Sequence, residues 1–229
     1  MKTDFEIVKE FMKNSENIDL IWDSVALIWI DWREYDEDIV RYFNDKLEDK
    51  IEFEFIDNRK GYGEDIVLKK NDERLQIPYN EVMERDITIK YMNDFIGLQY
   101  QIRWFVESFG GDTLAFVLLT AEEWGDLEEE FGANNIKHYF SEINLDSAMF
   151  GFDLEIGEFQ WFSEFRKNNK GVDILVFQKI AALRSEKRQL NAKRDSGDLK
   201  LKDYYLQKKG IDEKISDLME KYYICKPII

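Results

Sequence analysis

Two periods of apolar residues alternate along the chain, three-to-four and two, and each change of period marks the edge of an element. Residues 4–16 place Phe5, Val8, Phe11 and Met12 on one helical face, and Thr3 or Asp4 can cap the start. Residues 18–30, "IDLIWDSVALIWI", read as a buried strand with Leu20, Trp22, Ala26, Ile28 and Ile30 on one side. Asp36 then opens "DEDIVRYFNDKLED", a helix with Ile39, Val40, Phe43 and Leu47 on its apolar face.

Period two returns next. "KIEFEFID" points Ile51, Phe53 and Phe55 inward and Glu52 and Glu54 outward. "RKGYGED" supplies a glycine turn, and "DIVLKK" and "RLQIPY" form two more strands joined by "NDE". Asn80 can cap a helix over about 81–96 that carries Val82, Met83, Ile87, Met92, Phe95 and Ile96, with Gly97 at its end. "LQYQIRWFVES" alternates again, with Leu98, Tyr100, Ile102, Trp104 and Val106 on one face. "FGGD" turns the chain, and "TLAFVLLT" runs back almost wholly apolar. The second strand of this hairpin is therefore expected at the centre of a sheet, covered on both faces.

Residues 121–132, "AEEWGDLEEEFG", set a tryptophan and a phenylalanine among six carboxylates. Thr120 stands three residues before Glu123, the capping-box spacing. Trp124, Leu127 and Phe131 share one stripe of the helix, so the aromatics are core anchors. Glu122, Glu123, Asp126, Glu129 and Glu130 lie mostly off that stripe, on a solvated face. Gly132 ends the helix, and "NNIKHYFSEI" over 134–143 makes another short one.

From Val172 the pattern becomes heptad-like. Val176, Ile180, Leu183, Lys187 and Leu190 form one seam. After "RDSGD", Leu201, Tyr204, Lys208, Ile211, Ile215, Leu218 and Tyr222 form a second. Two adjacent seams predict an antiparallel helical hairpin. Gly210 is a weak point in its second helix. The fold class expected is α+β: a mainly antiparallel sheet with flanking helices, followed by a C-terminal antiparallel helical hairpin. The expected division is an acidic domain over 1–165 and a basic helical appendage over 166–229.

Charge sharpens that division. Net charge is −16 over 229 residues. Residues 1–165 hold 39 acids against 16 bases, and residues 166–209 hold 13 bases against 5 acids. A body this acidic repels phosphates, which disfavours nucleic acid as a partner. Lys179, Arg184, Lys187, Arg188, Lys193, Arg194, Lys200 and Lys202 flank the hairpin tip, where phosphates could sit. Packing of the hairpin against the chain's own acidic body, or against another subunit, is the favoured reading.

Catalytic chemistry finds little footing. The single cysteine, Cys225, excludes an internal disulfide, and one cysteine with one histidine, His138, cannot build the usual zinc site. His138 is assigned a surface or packing role. No G-x-S-x-G, G-x-x-x-x-G-K-[ST] or G-x-G-x-x-G motif occurs, and no calcium-loop order of acids. No cofactor and no metal are expected. No run approaches the roughly 20 apolar residues that cross a membrane. The N-terminus mixes charges through its apolar positions, unlike a secretory signal. A cytoplasmic protein with no membrane partner follows as the expectation.

Three functions are then weighed. The first is a non-catalytic acidic module that docks on a basic protein, such as a toxic nuclease or another nucleic-acid enzyme, and blocks its positive substrate site. In general character such a chain resembles bacterial immunity proteins and phage-encoded inhibitors. The expected contacts are Glu122, Glu123, Asp126, Glu129 and Glu130, then Asp36, Glu37 and Asp38. The second is a structural protein that self-associates into a homo-oligomer through residues 171–223. The third, an enzyme with a carboxylate-bound metal, has no particular acids to point to.

Overall fold

A computed structural model of the chain describes residues 1–61, 63–80, 83–151, 154 and 156–224. They form an α+β protein with two antiparallel sheets, in two compact units, Met1–Phe152 and Asp153–Ile229. The expected boundary at 165/166 falls inside a helix, Ile156–Asn168, so the division lies before that helix.

The first unit is built around a four-stranded sheet. Its strands are β1 (Ile28–Asp31), β5 (Tyr100–Phe105), β6 (Thr113–Thr120) and β7 (Phe140–Glu142), in the order β1-β6-β5-β7. β6 is central and buried along both faces, as its unbroken apolar run predicts. Phe116 pairs with Ile28 on one side and Trp104 on the other; Val117 pairs with Arg103. Because neighbouring residues alternate faces, each face needs its own cover.

Helices α1 (Asp4–Lys13), α5 (Ala121–Phe131) and α6 (Ala133–Tyr139) supply one cover. Phe11, Trp124, Tyr139 and Phe140 close over Phe105, Ala115, Val117 and Leu119. The rings meet edge-on: Phe11 lies 5.8 Å from Phe105, 5.2 Å from Tyr139 and 5.9 Å from Phe140. Burying each such ring contributes about 1.5–3 kcal/mol. Helix α3 (Asp36–Lys46) lies on the other face, with Phe43 edge-on to Phe116 at 6.1 Å, and it packs on α4 (Arg85–Ile96).

The second sheet, β2 (Glu52–Asp57), β3 (Glu64–Lys70) and β4 (Glu73–Gln76), runs β2-β3-β4. Asn44 of α3 clamps its entry, donating to the Ile51 carbonyl at 2.9 Å and accepting from the Ile51 amide at 2.8 Å. β3 carries the buried residues Ile66, Val67 and Leu68. β2 is an edge strand, so its inward row is only partly covered. Phe53 is half-buried and Phe55 exposed, contrary to the alternation read from the sequence.

Local chemistry accounts for the element ends. Thr3 and Thr120 each cap a helix in a complete capping box, with Glu6 and Glu123 reaching back. Gly132, at φ 85°, occupies a left-handed position between α5 and α6 that favours glycine. Gly97 ends α4 for another reason: its backbone is right-handed, and a Cβ would stand 3.0 Å from the Asn93 carbonyl.

Several expectations are corrected. Residues 18–30 are not one strand. Asp19–Trp22 forms a short helix, α2, that buries Ile21, and the chain joins the sheet only at Ile28. Ile18 and Ile21 are three apart, which suits a helical turn with Asp19 outward. The helix expected from 81 begins at Arg85 with Glu84 as its cap residue, not Asn80; Val82 lies outside the described residues. Residues 134–143 are helix only to Tyr139, and Phe140 then pairs with Phe105 as a strand. Leu98 is exposed at the turn before β5.

The second unit holds α7 (Ile156–Asn168), α8 (Ile174–Asp195) and α9 (Leu201–Lys221). The sequence reading passed over α7, which packs on α8 through Phe162, Phe165 and Phe177. α8 and α9 form the expected antiparallel hairpin. Leu190, Tyr204 and Ile211 are its buried centre, with Leu183 and Ile215 against them. The Tyr204 hydroxyl donates to Asn191 at 2.8 Å, and the seam lysine Lys187 pairs with Asp212 at 2.5 Å. The other seam lysine, Lys208, lies over the Tyr204 ring. Leu201 is exposed and not part of the seam.

Gly210 does not split α9, and nothing lies within 4 Å of where its Cβ would be. Gly210→Ala should therefore stabilise the hairpin by about 0.5–1 kcal/mol, read as a higher denaturant midpoint for the second unit.

Candidate functional site

Helix α5 presents the acids most completely. Trp124 and Leu127 are buried, and the Trp124 indole donates to the Gln101 carbonyl at 3.0 Å. That anchoring turns Glu122, Asp126, Glu129 and Glu130 to solvent. They stand four, three and one residues apart, on one side of the helix. Glu123 is different: it is half-buried and held in the capping box by the Thr120 amide at 2.9 Å. Glu128, absent from the expected set, pairs with the buried Arg103 at 2.7 Å. The Arg103 guanidinium stacks 4.4 Å from the Trp124 ring centroid. Glu130 pairs with Lys9 of α1.

The second expected group is not part of the same surface. α3 covers the opposite face of the sheet from α5, so the two acid sets are not brought together. Glu37 is half-buried and paired with Arg41; Asp38 is half-buried.

Asp36 is no surface residue at all, being only 7% exposed. It accepts a hydrogen bond from Thr88 of α4, whose hydroxyl lies 2.7 Å from that of the buried Tyr79. Burial raises the Asp36 pKa above the ordinary carboxylate range, and Glu84 adds to this; the Thr88 hydrogen bond and the charge of Arg85 pull the other way.

Three aromatics that face solvent beside α3 were not singled out in the sequence. Trp32, Tyr35 and Tyr42 are exposed in "DWREYDEDIVRY", off the Ile39–Val40–Phe43 stripe. The signal was there, since a helix starting at Asp36 leaves Tyr35 and Tyr42 outside its apolar face. His138 is buried, edge-on to Tyr139 at 4.8 Å, so it packs in the core and is not on the surface.

Among the described residues no group of three or more His, Cys, Asp or Glu could hold a metal ion. Cys225 lies outside the described residues. No described helix is long and apolar enough to cross a membrane. A 340 Å³ cleft beside β5 is lined by Asn93, Gln101, Arg103 and Glu142 among others. Asn93 is engaged there, accepting from the Ile102 amide at 2.7 Å and donating to the Ile143 carbonyl at 3.0 Å. The chain matches no protein-family model, no curated protein and no solved structure.

The buried carboxyl gives a signed pH dependence. A carboxyl that holds its proton more tightly when folded makes stability fall as pH rises from the ordinary carboxylate range through its raised folded value. Asp36→Asn, which can still accept from Thr88, should remove that slope. The variant should gain stability relative to the parent as pH rises through this window and hold a constant lead above it, measured by urea unfolding at a series of pH values.

Proposed function

We propose that the protein is a non-catalytic binding module whose acidic first unit docks on a basic protein, in the manner of an inhibitor or immunity protein. The observation that supports this reading is the fixed row of exposed carboxylates Glu122, Asp126, Glu129 and Glu130 on α5. Their helix is capped at one end and pinned by Trp124 and Leu127, so the charges need little ordering when a partner arrives. Charge held this way accelerates encounter with a positive surface. A nuclease or another nucleic-acid enzyme has such a surface where its substrate binds, and occupation of it would block the enzyme. A cytoplasmic setting suits such a role.

A second reading is self-association through the hairpin. It is favoured by Leu201, Tyr205 and Leu206, which stand 63%, 63% and 70% exposed on α9. Exposed apolar residues on a helix are material for a symmetric contact.

Capture from native lysate on the immobilised protein separates the two. The expected result is one basic protein, enriched at low salt and reduced at high salt. Reversing Glu122, Asp126, Glu129 and Glu130 to lysine should slow its association about tenfold or more at low salt and leave dissociation nearly unchanged. Return of the protein alone, together with a dimer mass in sedimentation at both salts, would replace the first reading with the second.

A further inference from the structure

We propose that the corner between β1 and α3, residues 32–42, is the anchoring surface for the basic partner, and that it takes an arginine-rich segment. The inference rests on the binding-module reading and names where the affinity lies.

Charge and anchoring are different tasks. Exposed charges mainly set encounter rates, whereas buried aromatic contacts carry most of an interface's free energy. α5 offers charge alone, since Trp124 is buried and Phe131 half-buried. The corner offers both. Trp32 is 52% exposed and Tyr35 78% exposed. Tyr35, Asp38 and Tyr42 recur at spacings of three and four along the side of α3 away from its buried stripe.

Carboxylates frame these rings. Glu34 and Asp38 both act on the Tyr42 phenol. Its pKa is held above the ordinary value, by desolvation first and then by Glu34 and Asp38. Among the described residues neither Glu34 nor Asp38 forms an ion pair. Asp112 stands close by, its carbonyl accepting from the Trp32 amide at 2.9 Å. The corner thus combines exposed rings with two carboxylates, Glu34 and Asp38, outside any such ion pair, while its cations Arg33 and Arg41 are already held by Asp31 and Glu37.

That pairing selects arginine over lysine. A guanidinium is planar and weakly hydrated, so it stacks on a ring while its edge binds a carboxylate. The chain already makes one such arrangement itself. Arg33 is held by Asp31 at 3.0 Å and lies 5.6 Å from the Trp32 ring centroid.

The corner is also separate from α5. Asp31 pairs with Thr113 at the start of β6, while α5 leaves from Thr120 at its end. Each surface can therefore be altered without the other.

Octa-arginine and octa-lysine peptides serve as probes, titrated calorimetrically into the full chain at about 0.15 M salt. Octa-arginine should bind more tightly. Trp32→Ala with Tyr35→Ala should weaken it about tenfold and abolish the preference over octa-lysine. Both side chains are exposed, and an unchanged melting temperature checks the fold. Glu34→Gln with Asp38→Asn should weaken the same peptide with the rings intact. The four-lysine α5 variant should lower binding of both peptides alike. If the ring variant binds octa-arginine as the parent does and the α5 variant loses it, the corner is overturned and the binding-module reading stands. If the parent binds neither peptide, both are overturned.

Discussion

Strand β6 is apolar on both faces, and water must be kept from each. Ala115, Val117 and Leu119 need one cover; Leu114, Phe116 and Leu118 need another. That demand draws α1, α5 and α6 to one side of the sheet and α3 to the other. The position of every exposed acid on these helices follows from it. Once Trp124 and Leu127 are committed to the sheet, the rotation of α5 is set, and Glu122, Asp126 and Glu129 are turned to solvent.

Much of this was legible in the sequence because long elements carry long patterns. The β5–β6 hairpin, α5 with its Thr120–Glu123 box, and the α8–α9 pair each span enough residues for one period to win. Short elements do not. Residues 18–22 are apolar enough to satisfy either period and residues 140–142 are too short to show one, so only tertiary contact decides. Phe140 becomes a strand residue because Phe105 stands ready to pair with it. α7 could have been found, since Phe159, Phe162 and Phe165 step by threes.

The acids show the same limit. Exposure of the α5 carboxylates could be read from their helix alone. Burial of Asp36 could not, because it depends on Thr88 and Tyr79, far along the chain. Exposure of Trp32 likewise depends on where the turn after β1 leaves the sheet. A large surplus of acids therefore resolves into several distinct conditions. Some carboxylates cap helices, Asp36 and Asp65 are buried, one neutralises Arg103, and others remain open to solvent.

The carboxylate of Asp86 has a different consequence. It accepts hydrogen bonds from three successive amides, Met149 at 3.0 Å, Phe150 at 2.9 Å and Gly151 at 3.1 Å. Three such amides form a small anion-binding concavity, filled here by the chain's own side chain. The loop so closed is more than sixty residues long, so the intervening strands, by shortening the span its ends must search, lower the entropy cost of closing it. During synthesis the latch can close only when residue 151 has left the ribosome. The first unit therefore acquires this contact only after nearly all of its residues have been made.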